Sequence, residues 1–286
     1  MRGRDRLARE AVAAALRVRT RFGRRLDQPV CPFELAEEMQ VTVRFEPLPS
    51  LEGMYSPEGP VAVIGSLRPA ARRSFTCAHE LGHHVLGHGL RIDEASDSAE
   101  GDVLENDNYE YAADRFAAAL LMPKIAVERA FTIRKWKIGV CTPEQAYTIA
   151  GIMGVGYITL IGYMDHTLLA ISASAAHRLR QFTPQQVRKR ILGFTPIKNL
   201  VVVDSHWTDR SVDIEIGDLI TLPDGVLIEG KAIQRDTLIG PVIARAVTPG
   251  IAAVKRGTWS ITVRVCRTPY RGLAVYRHLE DPDHED

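Results

Sequence analysis

The pentad His79-Glu80-Leu81-Gly82-His83 sets two imidazoles four residues apart, with a carboxylate beside the first. On a helix, residues i and i+4 lie one turn above each other, so His79 and His83 can both reach one metal ion. Glu80 is turned about 100° from His79, which suits a base rather than a third ligand. A bound metal lowers the pKa of water, and Glu80 can take the proton of that water as its oxygen attacks a peptide carbonyl. The flanks fit a helix. Phe75, Ala78, Gly82 and Leu86 keep helical spacing, and Gly87 and Gly89 supply a stop.

Such a site needs a third protein ligand and one position left open. His88 lies nine residues after His79, so it should face away unless the chain bends first. The longer H-E-x-x-H-x-x-G-x-x-H pattern is excluded, because Leu86 and Gly89 stand where it requires glycine and histidine. Glu110 is the better candidate. Tyr109, Ala112, Ala113, Phe116, Ala117, Leu120 and Leu121 form a stripe at helical spacing, which Pro123 ends. Asn106, Asp107 and Asn108 are the expected N-caps, which would put Glu110 in the first turn, where the helix dipole favours a carboxylate.

Together, the run Arg73-Ser74-Phe75-Thr76-Cys77-Ala78-His79-Glu80-Leu81-Gly82-His83 and the later E-x-x-A-D-x-F-A-x-x-L-L-M-P from Glu110 resemble the ImmA/IrrE metallopeptidases. The resemblance implies metal ligands at His79, His83 and Glu110 and a general base at Glu80. Cys77 departs from the branched aliphatic residue usual there. It also implies site-specific cleavage of a helix-turn-helix repressor, which would derepress stress genes of the DNA-damage and radiation response. Within the family, the layout is most similar to the radiation-response regulators. Two histidines and a carboxylate suit Zn²⁺, with Mn²⁺ as the alternative ion. The competing function is a DNA-binding regulator with a vestigial peptidase fold. An intact base argues for the enzyme. A metal-dependent amidase acting on small molecules is a third reading that the motifs leave open.

A chain of 286 residues, 45% hydrophobic and 25% charged, can bury a substantial core and has room for two or three domains. Its N-terminal stretch is arginine-rich without an apolar core, so no signal peptide is expected. The uncharged run from Gln145 to Met164 is broken by Gly151, Gly154, Gly156 and Gly162, which fits two helices and a turn better than a membrane span. Cys31, Cys77, Cys141 and Cys266 have no C-x-x-C spacing and fit free thiols in a reducing cytoplasm. Between Ile92 and Asp114 there is no lysine or arginine. This acidic stretch could receive a basic substrate segment or simply keep a loop solvated.

The expected architecture is α+β in three segments. Residues 1–123 form a zincin-like metallopeptidase domain, with helices at Arg6–Arg17 and Phe33–Met39. Short strands follow at Val41–Phe45, Gly53–Tyr55 and Val61–Ile64. An edge strand there could hold an extended peptide. Residues 124–190 form a basic helical segment. Thr142-Pro143-Glu144-Gln145 opens one helix, Gly154 ends it, and Tyr157–Met164 is the next, a helix-turn-helix-like unit. The second helix has no lysine or arginine, so DNA contact should be weak and limited to phosphates. Arg134, Lys135 and Lys137 are the cations expected to dock the repressor. Residues 191–286 form a mixed sheet for which the resemblance implies a GAF-like sensor domain, with an unknown small-molecule signal. A scaffold or dimer surface is an equal alternative there. The acidic tail from Glu280 should be disordered.

Overall fold

The computed structural model describes residues 2–94, 103–208 and 211–279. The acidic side chains from 93 to 107 and the tail from Glu280 lie outside the described part. Helices and sheets are mixed, as an α+β chain requires, and they fall into two compact units.

The first unit spans Met1–Arg129, with Met153–Val155 and Pro269–Val275. It holds α1 (Arg2–Arg21), α2 (Pro32–Glu38), β1 (Thr42–Glu46), β2 (Leu51–Ser56), β3 (Val61–Gly65), α3 (Ala70–Leu86), β4 (Arg91–Glu94) and α4 (Val103–Leu121). Helix α5 (Lys124–Thr132) begins in it. One face of α1, carrying Ala11, Ala14, Ala15 and Val18, is buried, which is the amphipathic pattern of the sequence. Arg19 on the same helix is fully buried. Its guanidinium donates to the Leu120 carbonyl at 2.6 Å and also to the carbonyls of Arg25 and Gln28. One arginine thus satisfies the end of α4 and closes the turn after α1. Burial pushes its pKa down to about 10.

The sheet of this unit has the order β13-β1-β3-β2-β4, where β13 is the two-residue strand Gly272–Leu273 from the far end of the chain. Strands β1 and β3 are parallel, while β2 runs antiparallel to both β3 and β4. Strand β4, which follows α3 in sequence, is therefore an edge of this sheet among the described residues.

The second unit covers Ala130–Ile152, Gly156–Thr268 and Tyr276–Asp286. Its helices are α6 (Pro143–Met153), α7 (Tyr157–Gly162, continued by a π-helical turn Tyr163–Thr167), α8 (Ala173–Arg180) and α9 (Pro184–Leu192). The capping box expected at Thr142 forms, and a second one forms at Thr183. The backbone N–H of Gln145 donates to Thr142 Oγ1 while Gln145 accepts from the Thr142 N–H, and Thr183 and Gln186 repeat the exchange. Gly154, at φ 70°, ends α6 as its sequence position suggests. No single helix among the described residues is long and apolar enough to cross a membrane. The run Pro143–Met153 and Tyr157–Thr167 is apolar enough only as a pair bent by 101°, and Ile149, Met153, Leu160 and Met164 within it are buried.

Two four-stranded sheets follow. One joins β5 (Leu200–Val202), β7 (Leu219–Thr221), β10 (Ile243–Ala246) and β9 (Ile233–Arg235); the other joins β6 (Val212–Glu215), β12 (Trp259–Cys266), β11 (Gly250–Arg256) and β8 (Leu227–Glu229). Each mixes one parallel pair with antiparallel ones, the mixed sheet that the strand signals imply.

Two expectations need correction. Helix α4 starts at Val103, so Asn106, Asp107 and Asn108 lie inside it and Glu110 sits in its third turn, beyond the reach of the dipole at its N-terminus. Arg134 is not a surface cation. It is buried, donates twice to Asp204 at 2.7 and 2.8 Å and once to the Ala130 carbonyl, and is held by structure; Lys135 and Lys137 are the exposed charges of that turn.

Candidate metal centre

Helix α3 positions both histidines because its whole central stretch is buried. Cys77, Ala78, Glu80, Leu81 and His83 have no measurable exposure, and His79 has 7%. The helix ends at Gly87 in the left-handed conformation, φ 70°, with its N–H returned to the last turn. Helix α4 is drawn close at Gly82. A methyl group there would lie 3.1 Å from the Ala113 Cα and 3.2 Å from its carbonyl oxygen. The glycine inside the motif therefore lets two helix backbones approach, and the next turn of α4 brings Glu110 over the histidines.

The side-chain atoms converge. His79 Nε2 lies 2.9 Å from His83 Nε2 and 3.0 Å from Glu110 Oε2, and His83 Nε2 lies 3.5 Å from that oxygen. Among the described residues, His79, His83 and Glu110 form a group able to hold a metal ion, with ligand atoms all within 4.8 Å. Ligands at the usual Zn–N and Zn–O distances in a tetrahedron stand ~3.3 Å apart. The observed triangle has edges close to that, and its atoms are two imidazole nitrogens and one carboxylate oxygen. The donor set fits the ion. Burial pushes the Glu110 carboxyl up, but hydrogen bonds from His79 and His83 outweigh it and hold the group well below the usual carboxylate range.

Each imidazole is held from behind. His79 Nδ1 sits 3.0 Å from Asp114 Oδ1, a carboxylate one helical turn after Glu110. That contact favours hydrogen on Nδ1 and turns Nε2 toward His83 and Glu110, the orientation a ligand bond needs. His83 Nδ1 sits 3.0 Å from His88 Nδ1. The chain does bend at Gly87, and this turns His88 back toward the site as a support for His83, not as a fourth ligand. Tyr109 packs on the His88 ring at 4.5 Å, and the Arg91 guanidinium lies 4.6 Å from the Tyr109 ring centre. Burial, with His83 and Arg91 nearby, pushes His88 down to about 4, so it stays neutral at ordinary pH.

The other flank of α3 faces β2. Gly53 and Tyr55 are buried on the same side of that strand. Gly53 lies against Thr76 and Glu80, and the Tyr55 hydroxyl lies 2.8 Å from His84 Nδ1. Thr76, Glu80 and His84 thus form one stripe under β2, while His79 and His83 form the neighbouring stripe toward α4. Sequence reasoning singled out His79, Glu80, His83 and Glu110; the structure brings the ligand atoms of His79, His83 and Glu110 together, and it buries Glu80 on the same helix against Gly53 of β2. It missed Asp114, whose i+4 spacing from Glu110 was a usable signal, and Gly53, which only tertiary packing reveals.

Comparison with known proteins agrees on this part of the chain. Residues 36–160 match the family model described as the IrrE N-terminal-like domain of the M78 peptidases. The radiation response metalloprotease IrrE of Deinococcus deserti is 37% identical over 93 residues, covering 32% of this chain and 33% of that protein. The protein of the same name from Deinococcus radiodurans is 38% identical over 85 residues, covering 29% and 26%. The chain thus matches a third or less of the length of these relatives. A solved Mycobacterium tuberculosis transcriptional regulator aligns at 19% identity with a TM-score of 0.37, covering 55% of this chain and 46% of that one, too distant a likeness to bear on the fold.

Proposed function

We propose that the chain is a metal-dependent endopeptidase of the ImmA/IrrE kind, on the premise that residues 36–160 match the IrrE N-terminal-like family model and part of the chain is similar to two radiation response metalloproteases. The observation that carries the proposal is the convergence of His79 Nε2, His83 Nε2 and Glu110 Oε2 beside a buried glutamate. His79, His83 and Glu110 would hold the ion, Zn²⁺ by donor type with Mn²⁺ as alternative. A bound ion would supply Lewis acidity for the scissile carbonyl and would acidify a water. Glu80 takes the proton of the attacking water on its carboxylate and passes it to the leaving nitrogen. Asp114 and His88 keep the two imidazoles in place throughout. Strand β4, an edge among the described residues, would offer its outer backbone groups to an extended peptide, which is how a peptidase can hold its substrate without reading every side chain.

The proposed substrate is a helix-turn-helix repressor in the cytoplasm, whose cleavage would switch on radiation- and damage-response genes. The relatives' name, radiation response metalloprotease, supports that setting. The proposal includes a three-part division, with residues 1–123 as the peptidase, 124–190 as a helix-turn-helix-like segment and 191–286 as a GAF-like sensor of a small-molecule signal. The exposed Lys135 and Lys137 are the candidate docking cations, and any DNA contact would be weak. The turn between α6 and α7 at Gly154 and the exposed Ile158 and Thr159 on α7 favour docking of a protein over base reading.

The test is incubation of purified candidate repressors with the full chain, with and without added Zn²⁺ or Mn²⁺, read on a gel. Metal-dependent cleavage at one position supports the proposal. Intact repressors together with tight, salt-resistant binding to one DNA sequence would replace it with a DNA-binding regulator.

A further inference from the structure

Strand β2 carries a bulge where it passes the catalytic helix. Leu51 pairs with Glu94 and Gly53 with Asp93, so Glu52 is the extra residue. The side chain of Glu52 is anchored. It meets Arg68 at 3.1 Å and Arg72, in the first turn of α3, at 3.0 Å. The bulge is thus tied to the helix beneath it, and the next residue, Gly53, lies directly on Glu80. A Cβ at Gly53 would stand 2.0 Å from Glu80 Oε1, 3.0 Å from its Cδ and 2.6 Å from Thr76 Cγ2. The backbone at Gly53 is not in the left-handed region, so its dihedrals would accept a side chain. Space alone forbids one, and the atoms that fill the space belong mainly to Glu80.

We propose that Gly53, seated by the Glu52 bulge, is a positioning residue: its bare backbone is the wall that fixes the Glu80 carboxylate toward the metal ligands. The inference rests on the metallopeptidase reading above for the role of Glu80, while the wall itself does not depend on it. Any side chain at 53 must displace the Glu80 carboxylate from the place it holds in the structure. A base displaced by about 1 Å loses on the order of 100-fold in rate. Glu52 serves the same end by stopping β2 from lifting away.

The experiment is a double-mutant cycle on the metal-loaded full chain, in a Thr76→Ser background that removes the Cγ2 contact. Gly53→Ala should keep one ion per chain, cut kcat on the cleaved repressor at least ~100-fold with little change in KM, and lower Tm. In Glu80→Asp, one methylene shorter, Gly53→Ala should cost no more than about 2-fold, the size of ordinary non-additivity between independent sites. In Glu80→Ala, it should leave Tm unchanged or higher, because the added methyl then fills vacated space. An equal Tm loss with Glu80 and with Glu80→Ala, or an equal kcat loss with Glu80 and with Glu80→Asp, overturns the proposal. If Gly53→Ala alone does not fold, recovery of folding in Gly53→Ala/Glu80→Ala supports it and continued failure overturns it. The thermal arm needs no turnover. Absence of cleavage by the unmutated chain would therefore count against the peptidase, and the Gly53 result would still stand or fall on Tm.

Discussion

Each compact unit buries a small cluster of charged or titratable side chains, and the two clusters are built on opposite principles. In the second unit, Asp213 on β6 accepts from Arg264, its register partner on β12, at 2.6 and 3.0 Å, and from Arg277 at 3.1 Å. Anion meets cation, and the side chains are no more than 15% exposed. In the first unit, two imidazole nitrogens and a carboxylate oxygen converge with their ligand atoms toward one another. An ion cluster holds strands together, whereas a convergent donor set is shaped for an ion from solution. The difference lies in where the partners of the functional atoms stand. Asp213 finds them in front of it, while His79 and His83 find Asp114 and His88 behind them.

The contrast breaks most sharply at Glu80. Glu80→Gln keeps the donor triangle and the fold but should lower repressor cleavage by ~10²–10⁴; a near-normal rate in an assay of the metal-loaded variant would remove Glu80 from the mechanism. In the other cluster, Asp213→Ala takes a carboxylate from two buried guanidinium groups and should cost up to about 3–5 kcal/mol in stability, measured by denaturant unfolding, while leaving metal content unchanged. Asp114→Ala and His88→Ala should each weaken the metal ~10–100-fold, by competition with a chromophoric chelator, without changing stoichiometry. An unchanged affinity in both would mean that the imidazoles need no support from behind. Smallest is Gly82→Ala, which forces α3 and α4 apart by a few tenths of an ångström. It should cost about 1 kcal/mol in stability and loosen metal binding less than Asp114→Ala does.

The site was legible in the sequence because helical periodicity alone sets which side chains share a face. His79 and His83 needed only one helix, and the stripe from Tyr109 to Leu121 placed Glu110 at the edge of another. The support behind them was only half legible. Asp114 follows from i+4 spacing, but His88 required knowing that Gly87 turns left-handed rather than merely ending the helix. The start of α4 was misplaced because asparagine and aspartate favour caps yet are tolerated inside a helix that packing stabilises. Arg134 was misjudged for a related reason, since a charge in a basic turn looks exposed until Asp204, 70 residues later, is brought beside it. In the sheets, β5 and β7 lie on short apolar runs, Leu200–Val202 and Leu219–Ile220. Strand β9 has one buried residue, and β13 spans two residues and pairs with the opposite end of the chain, so neither leaves a periodic signal.

The most direct measurement is metal content by mass spectrometry of the purified chain and of His79→Ala, His83→Ala, Glu110→Ala and His88→Ala, after dialysis against dilute Zn²⁺. One ion per chain in the unmutated protein and in His88→Ala, with loss in the other three, is the predicted result. Loss in His88→Ala with retention in Glu110→Ala would contradict the donor set and with it the proposed mechanism.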